Sequence, residues 1–207
     1  MCYEAIHTKV VLSKLNYQNG FFIEAGANDG STQSNTLYLE KQLNWSGILV
    51  EPSLRHIESC KNLRKNSIIV HAALIDNENI KTIRGDFDGH LMSSVDGNRL
   101  SRKDNLIEVP ARTLKNILIE YSAPKIIDLL SLDTEGHEFQ ILNGIDFSSV
   151  IFKYIVIEIN VPWYDKIVEL LTKNNYKLVE NISEYIKGIT PGWDGIHQDY
   201  LFEYTNI

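Results

Sequence analysis

Basic residues are the scarcer charge in this sequence: 20 Lys and Arg stand against 27 Asp and Glu, a net charge of −7 over 207 residues. An acidic surface repels phosphate backbones, so nucleic acid is excluded as the first expectation for a partner. Cysteine is nearly missing, with Cys2 and Cys60 alone. Two are too few for a disulfide framework and fit a reduced compartment. No apolar run reaches the roughly 18–20 residues of a membrane-crossing helix. The stretch Met1-Cys2-Tyr3-Glu4-Ala5-Ile6-His7 has neither the basic start nor the apolar run of a secretory leader. The expectation is a soluble cytoplasmic protein without membrane insertion. Internal repeats, Pro/Gly/Ser-rich linkers and blocks of like charge are also missing. That leaves a single domain over residues 1–207, with residues 1–20 as an N-terminal helical extension. A chain of this length can bury about 70% of its unfolded surface and needs no disulfide or metal staple.

What is present is a rhythm. Short apolar runs at 21–25, 48–51, 68–74, 126–132, 154–159, 176–180 and 200–204 read as strands. Several are almost continuously apolar, as in Tyr154-Ile155-Val156-Ile157, the sign of strands covered on both faces. Between them the period changes. Leu114, Ile117, Leu118 and Tyr121 share one helix face, as do Trp163, Ile167, Leu170 and Leu171 after Pro162. Ser34 or Asn35 is placed to cap a helix over 37–43. Repeated βα units with right-handed crossovers predict an α/β fold with helices on both faces of a mostly parallel seven-stranded sheet. A Gly/Pro/Trp-rich loop at 188–198 joins the last two strands, so the C-terminal strand is expected to run antiparallel. The polar stretch 86–108 is expected as a mobile loop or lid.

Three constellations carry chemistry. The first strand runs into Glu24-Ala25-Gly26-Ala27-Asn28-Asp29-Gly30-Ser31, the first βα turn, where such sheets bind ligands. A dinucleotide fingerprint would have glycines where Asn28 and Ser31 stand. Glu24 and Asp29 would repel a pyrophosphate and suit a cation, such as a sulfonium or ammonium group. The second strand closes on Glu51, about 20 residues after the turn, where an acid accepts ribose hydroxyl protons. The fourth strand leads into Asp133-Thr134-Glu135-Gly136-His137-Glu138. Helix-terminus acidity explains Glu138 better than it explains Asp133.

Glu24-x-Gly26-Ala27-x-x-Gly30, Ser34-Asn35-Thr36, Val50-Glu51-Pro52 and Asp133-Thr134-Glu135-Gly136-x-Glu138 together resemble the FkbM family of S-adenosylmethionine-dependent methyltransferases. The similarity runs from about Phe21 to the strand near Val179. It implies a class I methyltransferase (Rossmann-like) fold and methyl transfer to a hydroxyl of a small molecule or glycan. It further implies that Glu24, Gly26, Ala27, Asn28 and Gly30 hold the methionine part of the cofactor. Ser34 and Asn35 would shape that pocket, Glu51 would hold the ribose, and Ala72 or Ala73 would lie near adenine.

An alcohol must lose its proton as it is methylated, and Asp133, Glu135 and His137 are the expected acceptors. The other route is a divalent ion such as Mg2+ on Asp133, Glu135 and Glu158, which would acidify the hydroxyl. Asn160-Val161-Pro162-Trp163-Tyr164 resembles the N-P-P-Y signature of amino-group methyltransferases, but it reads better as a helix start with Pro162 in the first turn. An NAD-dependent oxidoreductase and a non-catalytic binding protein on the same fold are the competing functions. The strand candidates occupy most of the chain, so acceptor specificity is expected in its loops, including Trp193 and His197.

Overall fold

The computed structural model describes residues 8–183 and 195–206. Helix α1 (Thr8–Leu15) precedes β1 (Phe21–Ala25), α2 (Leu37–Leu43), β2 (Ser46–Glu51), α3 (Leu54–Leu63) and β3 (Ser67–His71). Three short strands follow, β4 (Ala73–Leu74), β5 (Thr82–Gly85) and β6 (Ile107–Arg112), then α4 (Leu114–Glu120) and β7 (Ile126–Leu132). Helix α5 (Glu138–Asn143), β8 (Ile151–Asn160), α6 (Tyr164–Lys173), β9 (Tyr176–Asn181) and β10 (His197–Tyr204) complete the order.

Seven strands form the main sheet in the order β3-β2-β1-β7-β8-β10-β9. All neighbours from β3 to β8 pair parallel, and β10 alone runs against its neighbours β8 and β9. The expected architecture is therefore present. Alternate residues of each strand feed opposite layers, because successive side chains in a strand point to opposite faces. Ile23, Ile48, Leu130 and Ile155 pack with Leu114 and Ile117 of α4, Ile141 and Leu142 of α5, and Ile167 and Leu171 of α6. Phe22, Leu49, Leu129 and Val156 pack with Val11 and Leu15 of α1, Leu39 and Leu43 of α2, and Cys60 of α3. Each such buried side chain is worth about 1.5–3 kcal/mol. Val11 and Leu15 make the N-terminal segment part of the core.

Local signals set the helix ends. Ser34 Oγ accepts from the backbone N–H groups of Leu37 (3.1 Å) and Thr36 (3.3 Å), so it caps α2 from two residues outside the first turn. Asn44, in the left-handed region at φ 54°, stops the helix. Thr113 caps α4 by accepting from Asn116 N. Pro162 sits in a short 3-10 turn, Val161–Trp163, that leads into α6, as expected for a helix start.

Two expectations need correction. The run 68–74 is not one strand: the chain leaves the main sheet after His71, and β4 pairs with β6 in a second sheet ordered β4-β6-β5. The chain is apolar on both sides of His71, so periodicity does not reveal the break. The lid expected at 86–108 lies between two antiparallel strands, and its last two residues belong to β6. Its near end is built: Ser94 N donates to Asp86 Oδ1 at 2.6 Å, and Val95 bridges to Gly85. Most of the loop expected at 188–198, Trp193 included, lies outside the described residues.

Candidate active site

The strand order reverses between β1 and β7, and their carboxyl ends flank the crevice where open α/β sheets bind ligands. A cleft opens there. Glu24, Gly26, Ala27, Asn28, Ser34 and Asn35 line it, with Glu51 and Ala73. Asp133, Glu135 and His137, which follow β7, line it too. Gly30 and Asp29 are not on its wall, although the sequence places them in the same turn.

Gly26 is required sterically. Its φ is +81°, and a Cβ there would meet the carbonyl oxygen of Asp133 at 1.7 Å. The turn then folds on its own donors. Gly26 N and Ala27 N donate to the Val50 carbonyl, Asn28 N donates to Glu51 Oε2 and Gly30 N to the Ala27 carbonyl. Asp29 accepts from Ser31 N and Thr32 N at 2.8 and 2.7 Å, so its carboxylate closes the turn instead of facing a ligand. A pyrophosphate is held by free backbone N–H groups at such a turn, and those of Gly26, Ala27, Asn28, Gly30, Ser31 and Thr32 are consumed. What the wall offers to the cleft is mainly oxygen.

Glu24 is held from behind. Its carboxylate accepts from Ser34 Oγ (2.9 Å), Asn35 N (3.0 Å), Thr36 Oγ1 (2.6 Å) and Arg64 (3.2 Å). Arg64, fully buried, also donates to Glu40 at 2.8 Å and to the Gly30 carbonyl at 3.1 Å. The Arg64–Glu24 pair therefore ties α3 to the glycine turn and to the α2 cap, a role that the sequence does not disclose. Glu51 is buried, with one oxygen on Asn28 N and the other on Ser53 N, each at 2.8 Å. Burial pushes its carboxyl up to about 7 despite those donors. Asn35 donates to Ser131 Oγ at 3.0 Å, while its Oδ1 is buried in the cleft wall with no partner.

Beyond β7 the acids crowd together. Asp133 is exposed on the cleft, yet its carboxyl is packed round by protein. That desolvation, with the charges of Glu135, Asp199 and Glu138, holds it well above the usual carboxylate range. Burial and the neighbouring charges of Asp133 and Glu135 push Glu158 up to about 11. Burial also raises Glu138, outweighing the Thr134 and Gly136 N–H groups that donate to its Oε1 at 2.7 and 3.2 Å. His137 is pushed down by burial, against the pull of Asp76 and Asp96.

Glu135 departs from expectation. Its Oε2 accepts from Arg99 Nε at 3.0 Å, and Arg99 lies on the segment that returns over the cleft from β5. The same guanidinium reaches His197 Nδ1 at 3.0 Å. The acids that gather are Asp133, Glu138 and Glu158, not Asp133, Glu135 and Glu158. Arg99 and Asp199 join the site without having been singled out, and Glu138, expected as a helix-terminus acid, joins the cluster. Asp199 is found only through the register that sets it opposite Glu158 on β8.

The comparisons agree with this geometry. The model of the methyltransferase FkbM domain matches residues 24–178. No curated protein matches the sequence. The solved FkbM methyltransferase of Methylobacillus flagellatus superposes with a TM-score of 0.53 at 13% identity, covering 90% of this chain and 44% of that one. The precorrin-6y C5,15-methyltransferase of Geobacter metallireducens gives 0.52 at 13% identity over 96% of this chain and 86% of that one. A TehB-like SAM-dependent methyltransferase of Corynebacterium glutamicum gives 0.50 at 10% identity over 97% and 88%. A wall of acceptors at the sheet's switch point, the class I methyltransferase fold and the matched domain lead to one conclusion: the chain belongs to the FkbM family of S-adenosylmethionine-dependent methyltransferases.

Proposed function

We propose that this chain is an O-methyltransferase that acts on a hydroxyl of a small molecule or glycan. S-Adenosylmethionine supplies a methyl group on a sulfonium, and the residues present fit it. The orphaned Asn35 Oδ1 offers an acceptor to an ammonium group, and Glu51 offers a carboxylate to ribose hydroxyls. The consumed donors of the glycine turn disfavour the pyrophosphate of NAD. Gly26, Ala27 and Asn28 would lie along the methionine part, and Ala73 would lie near adenine.

The observation that carries the hydroxyl reading is that Asp133 and His137 line the same cleft as the cofactor residues. An alcohol needs an acceptor for its proton in line with methyl transfer. Glu135 is already paired with Arg99, which leaves Asp133 and His137 to orient the acceptor and take the proton. The segment Asn160–Tyr164 begins α6 after β8, and its Val161 interrupts the amine signature, so nothing there favours an amine acceptor.

Calorimetry with S-adenosylmethionine and NAD, followed by S-adenosylhomocysteine release over a panel of sugars and hydroxylated lactones, tests the proposal. The expected result is S-adenosylmethionine binding, no NAD binding, and turnover that depends on a hydroxylated acceptor and is lost in Asp133→Asn. NAD binding alone, or methylation confined to amines or RNA, overturns it. A folded chain that binds the cofactor yet never turns over would be a binding protein.

A further inference from the structure

Three carboxylates from three elements converge behind the cleft. Asp133 follows β7, Glu138 opens α5 and Glu158 lies near the end of β8; each offers an oxygen, and these atoms lie within 4.8 Å of one another. Glu138 and Glu158 are buried, while Asp133 opens on the cleft. Like charges this close are costly inside a protein unless a cation or proton offsets them. The independent sign of a ligand is Glu158 Oε1. It is buried without any hydrogen-bond partner, on a side chain 8% exposed. Its other oxygen, Oε2, stands 3.6 Å from His197 Nε2. A buried acceptor left without a donor costs about 1–3 kcal/mol, and more when charged.

We propose that Asp133, Glu138 and Glu158 bind one hard divalent cation of the Mg2+, Mn2+ or Ca2+ class. Its catalytic purpose rests on the O-methyltransferase reading above. The donor set is all oxygen, with neither thiolate nor imidazole in it, which is the set that hard cations take. Two oxygens on opposite sides of Mg2+ stand about 4.2 Å apart, and round Ca2+ about 4.8 Å, twice the usual metal–oxygen distances. Separations within 4.8 Å are compatible with an ion of either size.

The arrangement also decides what the ion does. Glu138 and Glu158 hold it from the buried side, so its open positions lie on Asp133's side, toward the cleft. Glu138 Oε1 is engaged by Thr134 and Gly136, which anchors that carboxylate against rotation. Glu135 stays outside because Arg99 neutralises it. An acceptor hydroxyl that reaches the ion becomes more acidic and has its oxygen aimed. As the O–CH3 bond forms, the S–CH3 bond breaks and its electron pair stays on sulfur. The hydroxyl proton passes to His137 or to water.

The test is Mn2+ binding to the metal-stripped whole chain, read by electron paramagnetic resonance and water-proton relaxation, with Mg2+ and Ca2+ as competitors. One Mn2+ per chain is expected, weakened about tenfold or more in Glu158→Gln and in Asp133→Asn, and little changed in Glu135→Gln. Glu158→Gln preserves shape, and its thermal melt without metal reports whether it folds. Metal-induced stabilisation of the wild type, read in the same melt, needs no variant. Absence of Mn2+ binding at millimolar concentration, or equal binding by wild type and a folded Glu158→Gln, overturns the proposal. So does full turnover after exhaustive chelation. If Mn2+ binds as expected but S-adenosylmethionine does not, the cation site stands and the methyltransferase reading falls.

Discussion

Gly26 and Glu51 show how narrowly single residues set this cleft. A methyl group at Gly26 would enter the Asp133 carbonyl, and the backbone there is left-handed. Gly26→Ala should therefore cost at least about 2 kcal/mol of stability, read by urea unfolding, and should weaken S-adenosylmethionine binding in calorimetry. In the proposed binding mode Glu51 links the cofactor to pH. Its carboxyl, pushed up to about 7 in the fold, binds a proton that the unfolded chain releases near its ordinary value. The stability from that proton is complete at acid pH and is lost as pH rises toward 7. Cofactor affinity moves the other way, since ribose hydroxyls donate to the ionised form. Between pH 6 and 8 affinity should rise about tenfold, and titration calorimetry on Glu51→Gln should show weaker binding with that slope gone.

Elements meet through two arginines. Arg64 sits at the end of α3 and bridges Glu24 of β1 to Glu40 of α2. Removing it leaves buried Glu24 with neutral donors alone and Glu40 with Lys41 at 3.5 Å as its cation, so Arg64→Met should cost about 3–5 kcal/mol in chemical denaturation. Arg64→Lys should recover part of that loss. Arg99 acts on the segment between β5 and β6, which also sends Phe87, His90 and Leu91 to the cleft wall. Its pairing with Glu135 is largely shielded from water, with side chains 7% and 15% exposed. Arg99→Ala should speed amide exchange at Ser94, Gly97 and Arg102 about tenfold while β1 and β7 remain protected. Weaker cofactor binding should accompany it. Exchange unchanged at those amides would show that other contacts hold the segment.

For the whole molecule, the net charge of −7 bears on the acceptor. An acidic chain lacks the long-range attraction that brings a polyanion to a protein. Gel retardation with RNA at physiological salt should therefore show no shift, in line with a small or glycan acceptor. A retarded band there would count against that reading. Among the described residues no helix is long and apolar enough to cross a membrane.

Much of this is legible in the sequence. Apolar periodicity marks β1, β2, β7 and β8 because both faces of those strands are buried, and it marks β9 and β10 through fewer buried positions such as Tyr176, Leu201 and Phe202. Gly26, Glu51 and Asp133 stand out because a tight turn and a strand end constrain residue type locally. The break at Ala72 was not legible, since both halves of that run are apolar and only pairing with β6 separates them. Nor was Asp29's inward turn, which depends on which donors lie within reach.

Sequence alone thus determined the fold class, the strand ends and the acids carried on them, all properties of short stretches of chain. Tertiary structure decided which of those acids meet. The register of β10 on β8 brings Asp199 beside Glu158, and the return of the β5–β6 segment gives Glu135 to Arg99. Glu138 then takes the place expected of Glu135 beside Asp133 and Glu158. The physical reason is that charges interact through space, over distances set by strand order, and sequence separation carries no record of those distances.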